Sequence, residues 1–132
     1  MTTTTTETTR LSRGDVEFLL EEHRKLTWHG WGWSRVPARE DWHTARVRLT
    51  TPDSLDVIEA VRGWLTTVEV RRGTADGPTG GEFAAAASRA LQTDVSPGEA
   101  IVGCLLAGVP VDLGAGNGIV TVGVNRQSLK GD

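Results

Sequence analysis

The chain has 132 residues, of which 38% are hydrophobic and 23% charged, a composition typical of a globular protein rather than a disordered or membrane-spanning one. Cys104 is the single cysteine, which excludes an intramolecular disulfide and a multi-cysteine zinc site. The formal net charge of -3 lacks the basic excess that a double-stranded-DNA-binding domain places against phosphates.

The N-terminus predicts a tail followed by one domain. Residues 1–10 (MTTTTTETTR) are a low-complexity, threonine-rich run with little to bury, so we expect them to be flexible. They lack the basic and apolar parts of a secretory signal, and we therefore expect a cytoplasmic protein without membrane association. Residues 11–132 are enough for a single domain around one hydrophobic core.

The first half of this domain predicts a helix, a loop and a strand. Ser12 is a good N-cap, and apolar side chains then recur at spacings of three and four, which predicts a helix over residues 13–26. Glycines and a proline interrupt residues 27–41, which favours a loop. Alternation of apolar with polar side chains over residues 45–50 is typical of a half-buried strand.

The second half continues with clear helix starts, a threonine or serine followed by proline. The predicted elements are a helix over residues 51–65, a strand at 68–71, helices over 82–91 and 97–107, and strands at 109–113 and 120–124. The order αβαβααββ predicts an α+β fold. We expect a mostly antiparallel sheet of about four strands with helices on one face and a polar, arginine-bearing opposite face.

One short run has a familiar appearance. Residues 111–118 (VDLGAGNG) resemble the glycine-rich motif of class I methyltransferases, which bind S-adenosylmethionine. In that family a helix follows the motif at once, whereas here residues 119–124 have the alternation of a strand. We interpret the run as the loop of a β-hairpin and assign no cofactor to the chain.

The most distinctive feature is a tryptophan-rich segment. Four of the five tryptophans fall within residues 28–42, and residues 28–48 carry four arginines against one glutamate and one aspartate in an otherwise acidic chain. Tryptophan with arginine can anchor a protein interface, hold a cation or stack on a nucleobase. The candidate contact residues, from this segment and the predicted polar sheet face, are Trp28, His29, Trp31, Trp33, Arg35, Arg39, Trp42, His43, Arg46, Arg48 and Arg71.

Catalytic patterns are weak. His29 and His43 lie in predicted irregular chain without a third ligand at a recognisable spacing, and Cys104 lies in an all-apolar helix, so we assign no catalytic or metal-binding residue. The sequence favours a small non-enzymatic interaction module, an assembly or regulatory subunit that binds a protein partner or itself. The alternatives are a nucleotide-type ligand-binding protein or small enzyme using the Trp/His/Arg loop, and a binder of single-stranded nucleic acid.

Overall fold

The structure is a computed structural model that describes residues 11–31, 36–37, 39–74, 77–112 and 120–129. Short antiparallel strands accompany the helices, so the mixed α+β class is confirmed. The predicted tail, residues 1–10, and residues 113–119, which contain the loop of the predicted C-terminal hairpin (residues 114–118), lie outside the described residues. The described elements are α1 (Arg13–Glu22), β1 (Leu26–Thr27), β2 (Gly30–Trp31), α2 (Trp42–Val47), a 3-10 helix (Arg48–Thr50), α3 (Pro52–Leu65), α4 (Gly80–Leu91), α5 (Pro97–Ala107), β3 (Val111–Asp112), β4 (Thr121–Val122) and α6 (Arg126–Leu129).

Side-chain caps set the helix starts. Ser12 and Ser96 each form a capping box with the acidic residue three positions later, and Thr51 accepts from the amide of Ser54. Helix α4 begins two residues before its predicted start because Thr79 caps it through a third capping box. Gly108, with φ of 78°, ends α5 as predicted.

The predicted strand at residues 45–50 is wrong. This segment is α2 followed by the 3-10 helix, and Asp41 caps α2 by accepting from the amide of Thr44 at 3.1 Å. Ala45 and Leu49 are fully buried whereas Val47 is 37% exposed. Residues four positions apart, such as Ala45 and Leu49, lie on the same face of a helix and also on the same face of a strand. The pattern was therefore ambiguous.

The predicted sheet of about four strands also differs from what the described residues form. Two pairs of two-residue strands lie in separate antiparallel sheets, with register Leu26↔Trp31 for β1–β2 and Val111↔Val122 for β3–β4. The first pair lies where the end of the first helix and the following loop were predicted: the helix ends at Glu22 rather than at residue 26, and Leu26 belongs to β1. The second confirms the predicted pairing of the two C-terminal strands, and residues 121 and 124 extend it through bridges to residues 79 and 70.

Helix α5 is the buried centre of the fold. It packs mainly against α3, at a position where a Cβ on Gly103 would come within 2.5 Å of the Val61 Cγ1 atom. The hydroxyl of buried Ser54 in α3 donates to Glu99 Oε2 in α5 at 2.6 Å. Neither α5 nor any other helix among the described residues has the length and apolar character needed to cross a bilayer.

Candidate functional site

The backbone of Trp28 is held from both sides. Its amide donates to the carbonyl of Ala45 in α2 at 2.9 Å, and its carbonyl accepts from the amide of Gly98 in α5 at 3.1 Å. A Cβ on residue 98 would lie 1.9 Å from the Thr27 carbonyl oxygen, so only glycine permits this approach. The β1–β2 hairpin is therefore clamped between α2 and the first turn of α5.

The turn of this hairpin is organised by a buried threonine. The Thr27 hydroxyl donates to the carbonyl of Gly30 at 3.2 Å and accepts from the amide of His29 at 3.1 Å. Gly30 has φ of 126°, a conformation that side chains rarely adopt. These contacts fix the two residues at the tip, Trp28 and His29, in one orientation.

An arginine lies on the ring of Trp28. The guanidinium carbon of Arg48 is 3.6 Å from the ring centroid, within the range of a cation–π contact. The Trp28 side chain is half-buried and also packs against the core cluster that joins α1, α3 and α5. Arg48 is exposed, and within the described part of the chain no acceptor contacts its guanidinium.

The second tip residue is engaged within the chain. His29 Nε2 lies 2.8 Å from Glu40 Oε1, and these side chains are only 16% and 21% exposed. The Trp28 ring meets the His29 ring edge-on, with centroids 5.1 Å apart. The His29–Glu40 contact ties the hairpin tip to the residues that precede α2. Across the described ranges, no group of three His, Cys, Asp or Glu side chains is placed to hold a metal ion.

Arg46, a predicted contact residue, bonds to backbone carbonyls. Its guanidinium donates to the carbonyls of Leu20, His23 at 3.4 Å and Leu26 at 3.2 Å. Two of these oxygens belong to the end of α1, where carbonyls lack helical partners and a cation is favourable. Burial, and next the charge of Arg24, lower the pKa of Arg46. Arg46 thus joins α2 to the C-terminus of α1.

The other described residues in and next to the tryptophan segment differ in how deeply they are buried. Trp31 is half-buried, with its ring 6.0 Å from that of His23, and it packs against the same core cluster as Trp28. Trp42 opens α2 and is half-buried. Arg39 and His43 are exposed. Of these residues, Trp31 contributes to the core cluster, whereas Arg39 and His43 lie at the surface.

The predicted polar sheet face does not form within the described ranges. Arg46 and Arg48 lie in α2 and the 3-10 helix rather than on a strand. Glu69 and exposed Arg71 belong to another segment, which hydrogen-bonds to residues 123–125 through its backbone. The helical conformation of residues 42–50 separates the two pairs because it removes the shared strand on which they would have aligned.

Two of the predicted contact residues, Trp33 and Arg35, lie outside the described residues and stay predictions. Conversely, Gly98 and Thr27 position the site without having been predicted to do so. A glycine in the first turn of an otherwise bulky apolar helix was the available signal, because glycine there indicates a close backbone approach. No local pattern distinguishes Thr27 from an ordinary loop threonine.

The thiol of Cys104 offers no nucleophile. The side chain is fully buried in α5, and burial raises the pKa of the thiol far above its usual range. Because the thiolate is the reactive form, the buried thiol is inert in the folded protein.

An open groove of about 340 Å³ lies elsewhere, between α4 and α6. Ala85, Ala86 and Leu129 line it together with the charged side chains of Glu82 and Arg89. Glu82 already accepts from the amide of Thr79 in the capping box of α4. None of the residues predicted to bind a ligand or partner lines this groove.

Function is carried by the residues of a site rather than by a fold class alone. The hairpin tip, Arg48 and the elements that hold them are the candidate site of this chain. Comparisons of the chain with protein-family models, with curated proteins and with solved structures found no match.

Proposed function

We propose that the protein is a small non-enzymatic interaction module, an assembly or regulatory subunit, that binds another protein through the hairpin surface. We define the hairpin surface as Trp28, His29 and Arg48. The observation that carries the proposal is the exposed Arg48 guanidinium, stacked on Trp28 at 3.6 Å, with no acceptor for its donors among the described residues. Tryptophan and arginine are the residues most enriched at the energetic centres of protein interfaces.

Rigidity supports this proposal. The backbone of Trp28 is bonded to α2 on one side and to α5 on the other, and the turn is held by buried Thr27. A binding residue that is already ordered loses less conformational entropy when a partner binds. The hairpin surface therefore presents Trp28 and His29 on a backbone that is held on both sides.

The chemistry of the tip favours binding over catalysis. His29 is the only histidine of the tip, and its Nε2 is paired with Glu40 at 2.8 Å in a half-buried contact. That contact has the position of a structural tie between the hairpin and the chain before α2. Stacking of a nucleobase on Trp28 is disfavoured because the guanidinium of Arg48 covers its ring.

The proposal takes residues 11–132 as one cytoplasmic domain and residues 1–10 as its tail. Its test compares three forms of the chain: the wild type, Arg48→Glu, and the control Arg72→Glu. Arg72 is also exposed, but it belongs to the segment after α3 rather than to the hairpin surface. Each form is used as the bait in affinity purification from a lysate of the cells in which the protein naturally occurs. The mass of each purified form is measured by light scattering.

We expect a protein partner, or a further copy of the chain, to be retained by the wild type and Arg72→Glu. Its recovery with Arg48→Glu should fall at least about tenfold, because loss of an interface centre costs about 2 kcal/mol or more. Circular dichroism checks that both variants are folded. Retention that is equal for all three forms would contradict the proposal, as would a monomer that retains no protein.

A further inference from the structure

Helix α4 has a face on which opposite charges are placed symmetrically. Glu82, Ala85, Ala86 and Arg89 follow one another at spacings of three, one and three residues, which places them on one side of the helix. The midpoint of the set lies between Ala85 and Ala86. Glu82 and Arg89 lie on opposite sides of this midpoint, each about 5 Å from it along the helix axis. The face therefore has an anion at one end, a cation at the other and two methyl groups between them.

These four residues line the open groove of about 340 Å³ between α4 and α6. Glu82, Ala85 and Arg89 are exposed, Ala86 is buried, and half-buried Leu129 of α6 adds an apolar side. Helices approach each other to about 8 Å where the side chains at the contact are small. The centre of this face therefore admits the backbone of a second helix.

Both charged ends have capacity for a further contact. Within the described part of the chain, no carboxylate forms an ion pair with Arg89. Glu82 accepts from the amide of Thr79 through Oε1 at 2.9 Å. A carboxylate offers about four acceptor positions on its two oxygens, so this hydrogen bond does not exhaust it.

We propose that a second copy of the chain docks on this face, with the two α4 helices antiparallel about a two-fold axis between Ala85 and Ala86. In a two-fold contact each residue meets its counterpart reciprocally. Glu82 of each copy then faces Arg89 of the other copy, so the same ion pair forms twice. Parallel helices would instead bring like charges together, which is unfavourable.

The size of the contact determines its strength. One face of a helix of 12 residues is much smaller than the roughly 20–30 residues that each partner contributes to a standard interface. Exposed ion pairs determine orientation more than affinity. We therefore expect a weak dimer with a dissociation constant of about 10–100 µM. The inference goes beyond the proposed function because it involves no residue of the hairpin surface.

The test is sedimentation equilibrium of the full chain from about 5 to about 500 µM, a range that brackets the expected dissociation constant. Arg89→Glu and Glu82→Arg each place like charges against each other in a dimer of identical copies. An equimolar mixture of the two variants restores opposite charges at both positions. Arg48→Glu and Arg72→Glu are the controls, because they change the same kind of charge outside α4.

Glu82→Arg also removes the acceptor of the α4 capping box, so circular dichroism has to show that this variant is folded. Glu82→Gln is the second variant at this position, because glutamine keeps a capping acceptor and removes the charge. If Glu82→Arg does not fold, Arg89→Glu and Glu82→Gln decide the question.

We expect the wild type, Arg48→Glu and Arg72→Glu to dimerise with equal affinity. Arg89→Glu and Glu82→Arg should each weaken the dimer at least about tenfold, because two-fold symmetry repeats the repulsion at both ends. Glu82→Gln should weaken it about threefold or more. The mixture of reversed charges should associate within about threefold of the wild-type affinity, and added salt should weaken all these dimers.

Three outcomes would overturn the proposal: a wild type that stays monomeric throughout this range, a dimer that is unaffected by charge reversal in α4, or a mixture that does not associate. A dimer lost in Arg48→Glu alone would place self-association at the hairpin surface, which would support the proposed function and refute this inference. A dimer of this strength dissociates at the dilution of an affinity purification. The two experiments therefore report on different contacts, and either proposal can fail while the other stands.

Discussion

The amide of Gly98, in the first turn of α5, donates to the carbonyl of Trp28 at 3.1 Å. The hairpin that carries the proposed contact residues is thus attached to the most deeply buried helix of the fold. A Cβ at residue 98 would lie 1.9 Å from the carbonyl oxygen of Thr27. The position of the Trp28 ring depends on the absence of one side chain from α5.

Gly98→Ala should therefore be strongly destabilising. The added methyl group meets backbone rather than a flexible side chain, so the hairpin has to move away from α5. We expect the free energy of unfolding to fall by about 2–3 kcal/mol, measured by urea denaturation.

The matched control is Gly63→Ala. Gly63 lies within α3, is exposed, and would bring its Cβ within 4 Å of nothing. Alanine is the better helix former, so this variant should gain about 0.5–1 kcal/mol. Equal stability of the two variants would show that α5 and the hairpin are not in close contact.

Ser54→Ala should weaken the junction of α3 with α5. The Ser54 hydroxyl donates to Glu99 Oε2 at 2.6 Å, and both residues are buried. Without the hydroxyl, the buried Oε2 of Glu99 loses a donor, which lowers the free energy of unfolding by about 1–3 kcal/mol. Thr66→Ala is the control, because it removes an exposed hydroxyl bonded to a backbone carbonyl and should cost about 0.5 kcal/mol or less. A Ser54→Ala variant as stable as the control would contradict the assignment.

Replacement of two arginines that are separated by one residue should affect stability to different degrees. Arg46→Ala removes the donor shared by the carbonyls of Leu20, His23 and Leu26, so we expect a loss of about 1–3 kcal/mol in stability. Hydrogen exchange of the last amides of α1 should accelerate with it. Arg48→Ala removes only an exposed cation–π contact, so its stability should change by about 1 kcal/mol or less. Comparable losses for both variants would refute this division between a structural and a contact arginine.

The stability of the protein should fall in alkali because of Cys104. Burial raises the pKa of this thiol, so the folded chain keeps a proton that the unfolded chain releases above its usual pKa of about 8.5. The contribution of the protonated thiol to the free energy of unfolding is fully present below that pH. It is lost as pH rises further, with a slope of about 1.4 kcal/mol per pH unit. The measurement is the urea midpoint between about pH 8 and pH 10.

Cys104→Ala removes the titrating thiol and should flatten the dependence of the free energy of unfolding on pH. Other side chains contribute little to this dependence in the same pH range because the chain contains no tyrosine. In native wild-type protein a thiol reagent should react only as fast as the chain unfolds. A pH slope that is the same in the wild type and in Cys104→Ala, or fast labelling of the folded chain, would show that the thiol is accessible.

Local patterns were sufficient wherever a helix end depends on its own residues. Ser12, Thr51 and Ser96 each cap the helix they were expected to start, because the acceptor oxygen and the donor amide lie within one turn. The apolar character of α5 likewise predicted its burial. Residues 98–104 of α5 are buried, whereas Leu105 and Leu106 are half-buried and Ala107 is exposed.

Patterns were insufficient where two conformations bury the same side chains. Ala45 and Leu49 fit a strand or a helix equally well. Two hydrogen bonds distinguish the helix in the structure: Asp41 caps it by accepting from the Thr44 amide, and the Trp28 amide donates to the Ala45 carbonyl. The strand at 45–50 and the shared arginine face were wrong for this reason. The tryptophan segment was identified from sequence, but the stacking of Arg48 on Trp28 joins residues on two different elements.

The sequence by itself determined the mixed α+β class, most helix starts and the burial of α5, and it supplied the segment in which the candidate contact residues concentrate. These depend on hydrogen bonds and apolar periodicity within a few residues of one another. Only the tertiary structure decided that Arg46 caps α1, that Gly98 admits the hairpin, and that the Arg48 guanidinium lies over the Trp28 ring. Each of those contacts joins residues 20 or more positions apart, or separate elements, where side-chain reach is set by packing rather than by sequence spacing.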